Sequence, residues 1–356
     1  MTTPHFSDRK GIPSWFPLIP LILLLLAGPT DYIMASTVAR PHTEADPTPD
    51  SGGMMTEPSP ETIKDRLTAH LEALTETIGE RSVERGDGLD RAADYISETF
   101  ESMGIAVERE TYRFLWRPVH NLVTEISLSD APTRRYLLGA HYDTVVDTPG
   151  ADDNASAVAV ALETARRLKA LANGGGPLPP VSVSVVAFTL EEPPAYGTGR
   201  MGSRIHARRA RERGDRIDGM ICLEMVGYTC HRPGCQDYPF PLSLRDYPDS
   251  GTFIGIVGNL ASRSLTSGLE RAFDRIPDLP TITLSVPFNG KILPAVRLSD
   301  HASFWDEGFP AVMVTDTSFY RNPNYHLPTD TMDTLDLDFM AALVMGLVEF
   351  FSTIEP

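Results

Sequence analysis

The sequence predicts an α/β protein with a mostly parallel central sheet and helices on both faces. Strand-like runs alternate along the chain with segments whose apolar residues recur every three or four positions, a pattern typical of strand–helix–strand units. Several of the strand-like runs are nearly continuous in apolar and β-branched residues, as expected of strands that are buried on both faces. Together these two observations indicate the fold class.

The composition allows a full hydrophobic core and excludes disorder throughout the chain. Of the 356 residues, 42% are hydrophobic and 22% are charged, which is enough for one large domain or two modest ones. The net charge of -17 argues against binding of nucleic acid, because neutralising phosphates requires clustered Lys and Arg. We attribute most of this charge to solvation of the surface.

The first residues have the pattern of an export signal. An Arg-Lys pair precedes an apolar run at 15–27, which is short for a transmembrane helix. We therefore predict that residues 1–36 are a signal peptide or a membrane anchor, with 15–27 as a possible tether, and that the protein is extracytoplasmic, periplasmic or secreted. Residues 37–60 are rich in Pro, Thr, Ser and acidic residues, which predicts a disordered linker. A folded domain is then expected over 61–356.

The first half of that domain mixes helices with strands. Apolar stripes predict one helix that begins near Glu61 and another from 89 to 104. A third helix at 155–170 ends at the stop signal NGGGPLPP. Strands are predicted at 105–114, 121–128 and 136–140, and the first alternates like an edge strand.

The second half continues the alternation. A basic helix at 201–213 lies between two apolar strands, and a loop at 229–251 is long enough to be a functional cover. A short helix follows Ser299-Asp300-His301, and an amphipathic helix closes the chain at 335–354. The remaining predicted elements are strands at 181–190, 217–226, 253–257, 281–286 and 311–315 and a helix at 260–276.

Polar side chains stand directly after four apolar strands. In open α/β sheets, ligands bind beyond the carboxyl ends of the strands, so such residues are candidates for one site. Seven such residues are candidates, and two imidazoles with three of the five carboxylates suit a pair of divalent ions such as zinc, with one carboxylate bridging them. The residues are His141 and Asp143, Glu191 and Glu192, Glu224, His326, and Asp153 at a helix start.

The adjacent pair Glu191-Glu192 suggests a division of labour. Successive side chains on an extended backbone point in different directions, so one can bind metal while the other remains a general base. Asp143, two residues after His141, could accept the other ring N–H of that histidine. Each residue alone has an ordinary explanation, such as a helix N-cap or a solvated turn, but Glu224 stands within an apolar run where an unpartnered carboxylate is costly. The whole set therefore favours a metal site.

Six motifs carry a resemblance to a known family. They are GAHYDTV, PGADDNASA, FTLEEPP, CLEMVGY, SDHASFW and NYHLPTDT, and they occur in family order. With them the chain, over roughly 60–356, resembles the M28 zinc peptidases, the di-zinc aminopeptidase group. The resemblance implies a phosphorylase/hydrolase-like zinc exopeptidase fold, two zinc ions and peptide substrates.

The resemblance also implies the zinc ligands. His141 and Glu224 are expected to be terminal ligands of separate zinc ions, and Glu192 and His326 the remaining terminal ligands. The bridging carboxylate is expected from Asp153.

Further roles follow from the same resemblance. Asp153 is chosen over Asp152 as the bridge because of its place in the motif, and the peptide bond from Asp153 to Asn154 is expected to be cis. Glu191 is expected to be the general base, with Asp143 behind the ligand histidine. Asp300 and His301 are expected to organise a helix start, and the candidates for the substrate pocket are Tyr196, Met201, Tyr228 and Tyr325.

The predicted function is a zinc aminopeptidase that hydrolyses N-terminal peptide bonds with a zinc-activated water. Two alternatives keep the fold: a single-zinc cyclase of N-terminal glutamine, and a binding protein without catalysis. Cys222 lies in an apolar run and is expected in the core, whereas Cys230 and Cys235 could form a disulfide in an oxidising compartment. The sequence leaves that disulfide, the oligomeric state and the side-chain preference open.

Overall fold

Nine strands form one mixed sheet in the computed structural model, which describes residues 60–354. The predictions for 1–36 and for the linker before residue 60 lie outside the described residues. The strands are β1 (Val107–Phe114), β2 (Arg117–Thr124), β3 (Ile126–Ser127), β4 (Arg134–His141), β5 (Val181–Phe188), β6 (Gly219–Glu224), β7 (Ile254–Asn259), β8 (Thr281–Val286) and β9 (Ala311–Thr315).

The centre of the sheet is parallel and its flanks are not. The strand order is β1-β2-β5-β4-β6-β9-β7-β8, with β3 also paired to β5. Strands β5, β4, β6 and β9 run parallel to one another, whereas β2 is antiparallel to β5 and β7 is antiparallel to β9. All four central strands therefore end at one edge, which we call the carboxyl edge.

Helices cover both faces of the sheet, which confirms the predicted fold class. Five of them share the larger hydrophobic core on one face, and the other two pack with a smaller core on the opposite face. The first group is α1 (Pro60–Leu71), α2 (Gly88–Ser102), α3 (Ala157–Asn173), α5 (Arg263–Phe273) and α7 (Leu337–Thr353), and the second is α4 (Gly202–Arg213) and α6 (His301–Asp306). Within the described residues, no helix is long and apolar enough to cross a membrane.

The predicted and observed ends of an element differ most at β2, which begins at Arg117 and not at the predicted residue 121. The turn between β1 and β2 consists of only Leu115 and Trp116, which lack the glycine or asparagine typical of a two-residue hairpin turn, so the sequence predicted a longer connection. The predicted helix at 260–276 starts as a 3-10 turn and ends at Phe273.

The long loop after β6 contains the two cysteines whose pairing the sequence left open. Cys230 and Cys235 form a disulfide, and Cys230 also pairs through its backbone with Gly251, so the two ends of the loop are held together. Cys222 is fully buried in β6, as expected.

A buried hydrogen-bonded carboxylate joins the edge hairpin to α4. Glu110 of β1 lies 3.0 Å from Nδ1 of His206 and accepts a hydrogen bond of 2.8 Å from Asn121. Burial disfavours the charged carboxylate, but the hydrogen bonds from His206 and Asn121 and the charge of Arg209 outweigh it and lower the pKa of Glu110 to about 2. The ionised carboxylate of Glu110 therefore stabilises the folded state at neutral pH.

Replacing Glu110 with Gln is expected to lower the free energy of unfolding by about 2 kcal/mol at pH 7. The pKa of Glu110 is lower in the folded protein than in the unfolded chain. The difference in unfolding free energy between wild type and Glu110→Gln is therefore largest above the ordinary pKa of a glutamate and shrinks as the pH falls towards 2. Urea unfolding at several pH values measures it. Glu108→Gln, an exposed glutamate on the same strand, is the control and should change little. A difference independent of pH would contradict this explanation.

Candidate active site

The predicted site residues converge at the carboxyl edge. His141 and Glu224 are the last residues of β4 and β6, and Glu191 and Glu192 follow the end of β5. Asp153 lies in the π-helical turn Ala151–Ser156 that leads into α3. His326, in the loop after β9, is partly exposed, and the others are buried.

One group of ligand atoms surrounds the ring of His141. Its Nε2 lies 3.4 Å from Oδ1 of Asp153 and 3.5 Å from Oε2 of Glu224, and it has no hydrogen-bond partner although it is buried. Its Nδ1 donates to the carbonyl oxygen of Asp143 at 3.2 Å, and since a carbonyl only accepts, the proton of the neutral ring is on Nδ1. The neutral ring therefore presents a lone pair on Nε2 to two carboxylate oxygens.

That arrangement requires a positive charge between these atoms. Burial alone would lower the pKa of His141, but Glu224, Asp143 and Asp153 outweigh it and hold the pKa well above the ordinary value of histidine. A proton would supply one positive charge and a divalent cation two, and buried imidazole and carboxylate atoms are the ligands that zinc takes in proteins. The donor set thus fits a zinc ion.

A second group shares Asp153 with the first. Oδ2 of Asp153 lies 3.2 Å from Nε2 of His326, which in turn lies 3.1 Å from Oε1 of Glu192. Asp153 therefore turns one oxygen to each group, the geometry of a bridging ligand. Asp152 points elsewhere, because its carboxylate accepts hydrogen bonds from the backbone of Gly227 at 2.9 Å and from Asn322 at 2.7 Å.

The expectation that His141 and Glu224 serve separate ions is wrong. Strands β4 and β6 are neighbours that run parallel, so their last residues end side by side in one group. Glu192 and His326 form the other group with Asp153. The expected cis peptide bond between Asp153 and Asn154 is confirmed.

Glu191 stands beside both groups without belonging to either. It can form a third set with His141 and Glu192, in which one atom of each lies within 4.8 Å of the others. Burial, and then the neighbouring charges of Glu192 and Glu224, raise the pKa of Glu191 well above its usual range despite the opposing effect of His141. Glu191 is therefore a stronger proton acceptor than an ordinary glutamate.

Asp143 has a broader role than the sequence indicated. Its carboxylate lies 3.5 Å from Nδ1 of His141, as expected of a group behind the histidine. Its two oxygens also accept the backbone N–H groups of Glu191 and Glu192, each at 3.1 Å. One side chain thus orients the histidine of one group and the glutamate pair that follows β5.

Two neighbours of the site were not anticipated from sequence. Asp330 accepts the backbone N–H of Asp152 at 2.9 Å and of Asp153 at 3.1 Å, so it holds the backbone of the bridging residue. Its place within the motif NYHLPTDT is the feature of the sequence that could have identified Asp330 as part of the site. Ser299 donates a hydrogen bond of 2.7 Å to Glu224. His301 belongs to neither group; its ring lies 2.9 Å from the carbonyl of Val296. Asp300 precedes α6 without a side-chain hydrogen bond to the helix start, so the expected role of this pair there stays a prediction.

Arg81 is the least expected neighbour. It is fully buried and donates to the carbonyl oxygens of Tyr142 at 2.8 Å and Gly150 at 2.8 Å, and also to those of Leu74, Gly79 and Pro149. Burial lowers its pKa to about 10, although the carboxylates of Asp330, Asp143 and Asp153 counteract this effect. One guanidinium thus joins the helical segment before residue 80 to the residues that follow β4 and precede Asp153. No pattern in the sequence distinguishes it from a surface arginine.

Replacing Arg81 with Lys is expected to lower the free energy of unfolding by about 3 kcal/mol or more, because an ammonium group cannot reproduce the planar set of donors. The affinity for zinc should also fall, by roughly tenfold or more, because the backbone around Asp153 loses its support. Chemical unfolding and competitive zinc titration at a temperature where both proteins are folded measure the two effects. Arg85→Lys, an exposed arginine paired with Asp147, is the control and should change stability by less than about 1 kcal/mol. If the zinc affinity of Arg81→Lys were unchanged, Arg81 would contribute to folding and not to metal binding.

Aromatic side chains line the side of the second group. The ring of Tyr325 stacks on His326 at 3.7 Å between centroids, and Phe319 packs against Tyr325 at 5.3 Å. Burial, and then the charges of Glu191 and Glu224, raise the pKa of Tyr196, which places this residue near the same carboxylates. Of the pocket candidates, Tyr325 and Tyr196 thus lie beside the site, and Met201 and Tyr228 stay predictions.

Fold and site together define a class of protein. An α/β sheet whose carboxyl edge carries two imidazole–carboxylate groups joined by one aspartate is the framework of a zinc exopeptidase. The model for peptidase family M28 matches residues 121–350, and the chain belongs to this family. It is therefore a hydrolase of peptide bonds, and zinc is the metal that the family implies.

Sequence relatives and a solved structure are consistent with membership of this family. The chain is 38% identical over 292 residues to the uncharacterized protein YfbL of Escherichia coli (strain K12), covering 80% of this chain and 86% of that one. It is 28% identical over 247 residues to leucine aminopeptidase 1 of Trichophyton equinum, covering 64% of this chain and only 58% of that relative's length. The crystal structure of the LapA aminopeptidase of Legionella pneumophila shares the fold, with a TM-score of 0.63, 23% identity, and coverage of 83% of this chain and 74% of that one.

Proposed function

We propose that this protein is an aminopeptidase that uses two zinc ions and Glu191 as its general base. The observation that supports two ions is the position of Asp153, whose oxygens face His141 on one side and His326 on the other. His141, Asp153 and Glu224 would hold one ion, and Asp153, Glu192 and His326 the other. Each set offers three ligand atoms, so a four-coordinate zinc ion held there would have one position left for water or substrate.

The residues divide the work of hydrolysis. Bound zinc would supply a Lewis acid for the scissile carbonyl and lower the pKa of water. Glu191 takes the proton from the attacking water and later gives it to the leaving amine, which its raised pKa favours. Asp143 keeps Glu191 and Glu192 in place through their backbone N–H groups. The side chain of Tyr325 forms an apolar wall beside the second group.

Recognition of a free amino terminus is part of the same proposal. Five carboxyl groups meet at the site, one negative charge more than two bound divalent ions would balance, which favours a substrate whose reacting end is cationic. They are Asp143, Asp153, Glu191, Glu192 and Glu224.

We further propose that the protein acts outside the cytoplasm. The support is the sequence pattern at residues 1–36 and the disulfide between Cys230 and Cys235, which is typical of oxidising compartments. Residues 15–27 would be either a cleaved signal or a membrane tether. Fractionation of cells that express the full chain tests this, and a protein found only in the cytosol would refute it.

The activity is tested with matched peptides and metal analysis. The purified protein should release the first residue of peptides with a free amino terminus and leave their N-acetylated counterparts intact. A protein that converts N-terminal glutamine to pyroglutamate with one zinc per chain would be the cyclase instead. A folded protein that binds no zinc and turns over none of the peptides would be a binding protein on the same fold.

A further inference from the structure

The backbone around Glu224 loses one of its two neighbouring strands just before it reaches the site. The pairing of β6 with β4 ends where Cys222 lies opposite Gly139, whereas the pairing of β6 with β9 continues to Glu224. The segment 223–227 is nevertheless buried. Its backbone groups on the side of β4 therefore need hydrogen-bond partners other than a strand.

Side chains of the turn Ala151–Ser156 supply these partners. Three consecutive backbone N–H groups after Glu224 donate to three side chains of the turn, at distances of 2.9 to 3.1 Å. The pairs are Met225 with Asn154, Val226 with Ser156, and Gly227 with Asp152. All six residues are buried. The turn that carries the bridging Asp153 thus also holds the backbone that follows Glu224.

Asn154 binds the peptide groups on both sides of Glu224. Its Oδ1 accepts the N–H of Met225 at 2.9 Å, and its Nδ2 donates to the carbonyl oxygen of Leu223 at 3.1 Å. That carbonyl belongs to the peptide group before Glu224, and that N–H belongs to the peptide group after it. One amide side chain therefore restrains both backbone torsions of Glu224, and these torsions set the direction in which its side chain leaves the strand.

The residue after Glu224 has a backbone conformation that needs such support. Met225 has φ of +46°, in the left-handed region that glycine adopts readily and a residue with a larger side chain does not. Besides the bond from its N–H to Asn154, its carbonyl oxygen accepts the N–H of Asp316 at 2.7 Å. Loss of the amide of Asn154 would free one side of a strained residue directly beside Glu224.

We propose that Asn154 is a positioning residue that aligns the carboxylate of Glu224 with His141 and Asp153. Oε2 of Glu224 lies 3.5 Å from Nε2 of His141, and this approach defines the first group. Asn154 directly follows Asp153 in the chain, so the residue that aligns Glu224 is joined to the one that bridges the groups. The proposal rests on the proposed function, in which the first group holds a metal ion.

Crystal structures of metal-free wild type and Asn154→Ala test the proposal without relying on zinc. In the variant, Oε2 of Glu224 should move away from Nε2 of His141, beyond the 3.5 Å of the wild type, while the second group keeps its distances. Competitive zinc titration should then show one equivalent bound roughly 10–100-fold more weakly and the other unchanged. If Asn154→Ala does not fold, Asn154→Asp keeps the acceptor for Met225 but loses the donor to Leu223, and it should show the same displacement to a smaller extent.

Ser156→Ala is the matched control, because Ser156 is equally buried in the same turn but contacts neither peptide group beside Glu224. It should lower thermal stability, as Asn154→Ala does, and leave the position of Glu224 and both zinc affinities unchanged. The proposal would be overturned if Glu224 kept its place and zinc its affinity in Asn154→Ala, or if Ser156→Ala displaced Glu224 as far. A wild type that binds no zinc would refute the proposed function, and the metal-free structures would still decide the role of Asn154.

Discussion

Replacing Glu191 with Gln is expected to lower kcat for peptide hydrolysis by about 10²–10⁴-fold while the zinc content stays at the wild-type level. The amide has the size of the carboxyl group but cannot take a proton from water or return one to the leaving amine. Glu191 is also buried among the charges that raise its pKa, so loss of its charge should not destabilise the fold. Steady-state kinetics and metal analysis of the same preparation measure the two quantities.

Glu192→Gln is the matched control, because the two glutamates are adjacent, equally buried and held by the same Asp143. This variant should lose zinc as well as activity, since Oε1 of Glu192 belongs to the second group. Wild-type kcat in Glu191→Gln would refute the role of general base. Loss of zinc equal to that in Glu192→Gln would make Glu191 a ligand, as its proximity to His141 allows.

Replacing Asp153 with Asn is expected to affect both metal positions at once. Burial would raise the pKa of Asp153, but hydrogen bonds with His141 and His326 outweigh it and hold the pKa well below its usual range, so the group is a carboxylate at working pH. An amide offers one weak oxygen in place of two charged ones. The variant should retain little zinc, and kcat/KM should fall by about 10³-fold or more.

Asp152→Asn is the neighbouring control. Asp152 is also buried, but it accepts hydrogen bonds from Gly227 and Asn322 and faces neither group. Its replacement should lower thermal stability and leave the ratio of zinc to folded protein unchanged. If Asp152→Asn lost zinc and Asp153→Asn kept it, the assignment of the bridge would be reversed.

The convergence of the candidate ligands could be predicted because each member has a local signature. His141 and Glu224 end apolar strands, Asp153 starts a helix, and the strand ends of a parallel sheet meet at one edge. The grouping of ligands could not be predicted, because it depends on β4 lying next to β6, and strand order is a property of the assembled sheet. The antiparallel flanks escaped prediction for the same reason.

The supporting residues were hidden for a different reason. Arg81 acts through bonds to backbone carbonyls that are distant in sequence, such as that of Gly150, and such bonds leave no motif. Asp143 was expected behind His141, but its bonds to the backbone N–H groups of Glu191 and Glu192 depend on how the end of β5 packs against β4. The turn at Leu115 and Trp116 contradicts local turn preference, so the sequence predicted a longer connection there and placed the start of β2 four residues late, at residue 121 instead of Arg117.

The central claim is that two zinc ions share Asp153, and zinc titration of metal-free protein tests it most directly. Zinc added stepwise to the chelated and dialysed chain should bind to two equivalents per chain, measured by equilibrium dialysis with metal analysis. Peptidase activity should reach its maximum only as the second equivalent binds. Saturation of both binding and activity at one equivalent, with the second group left without metal, would contradict the account.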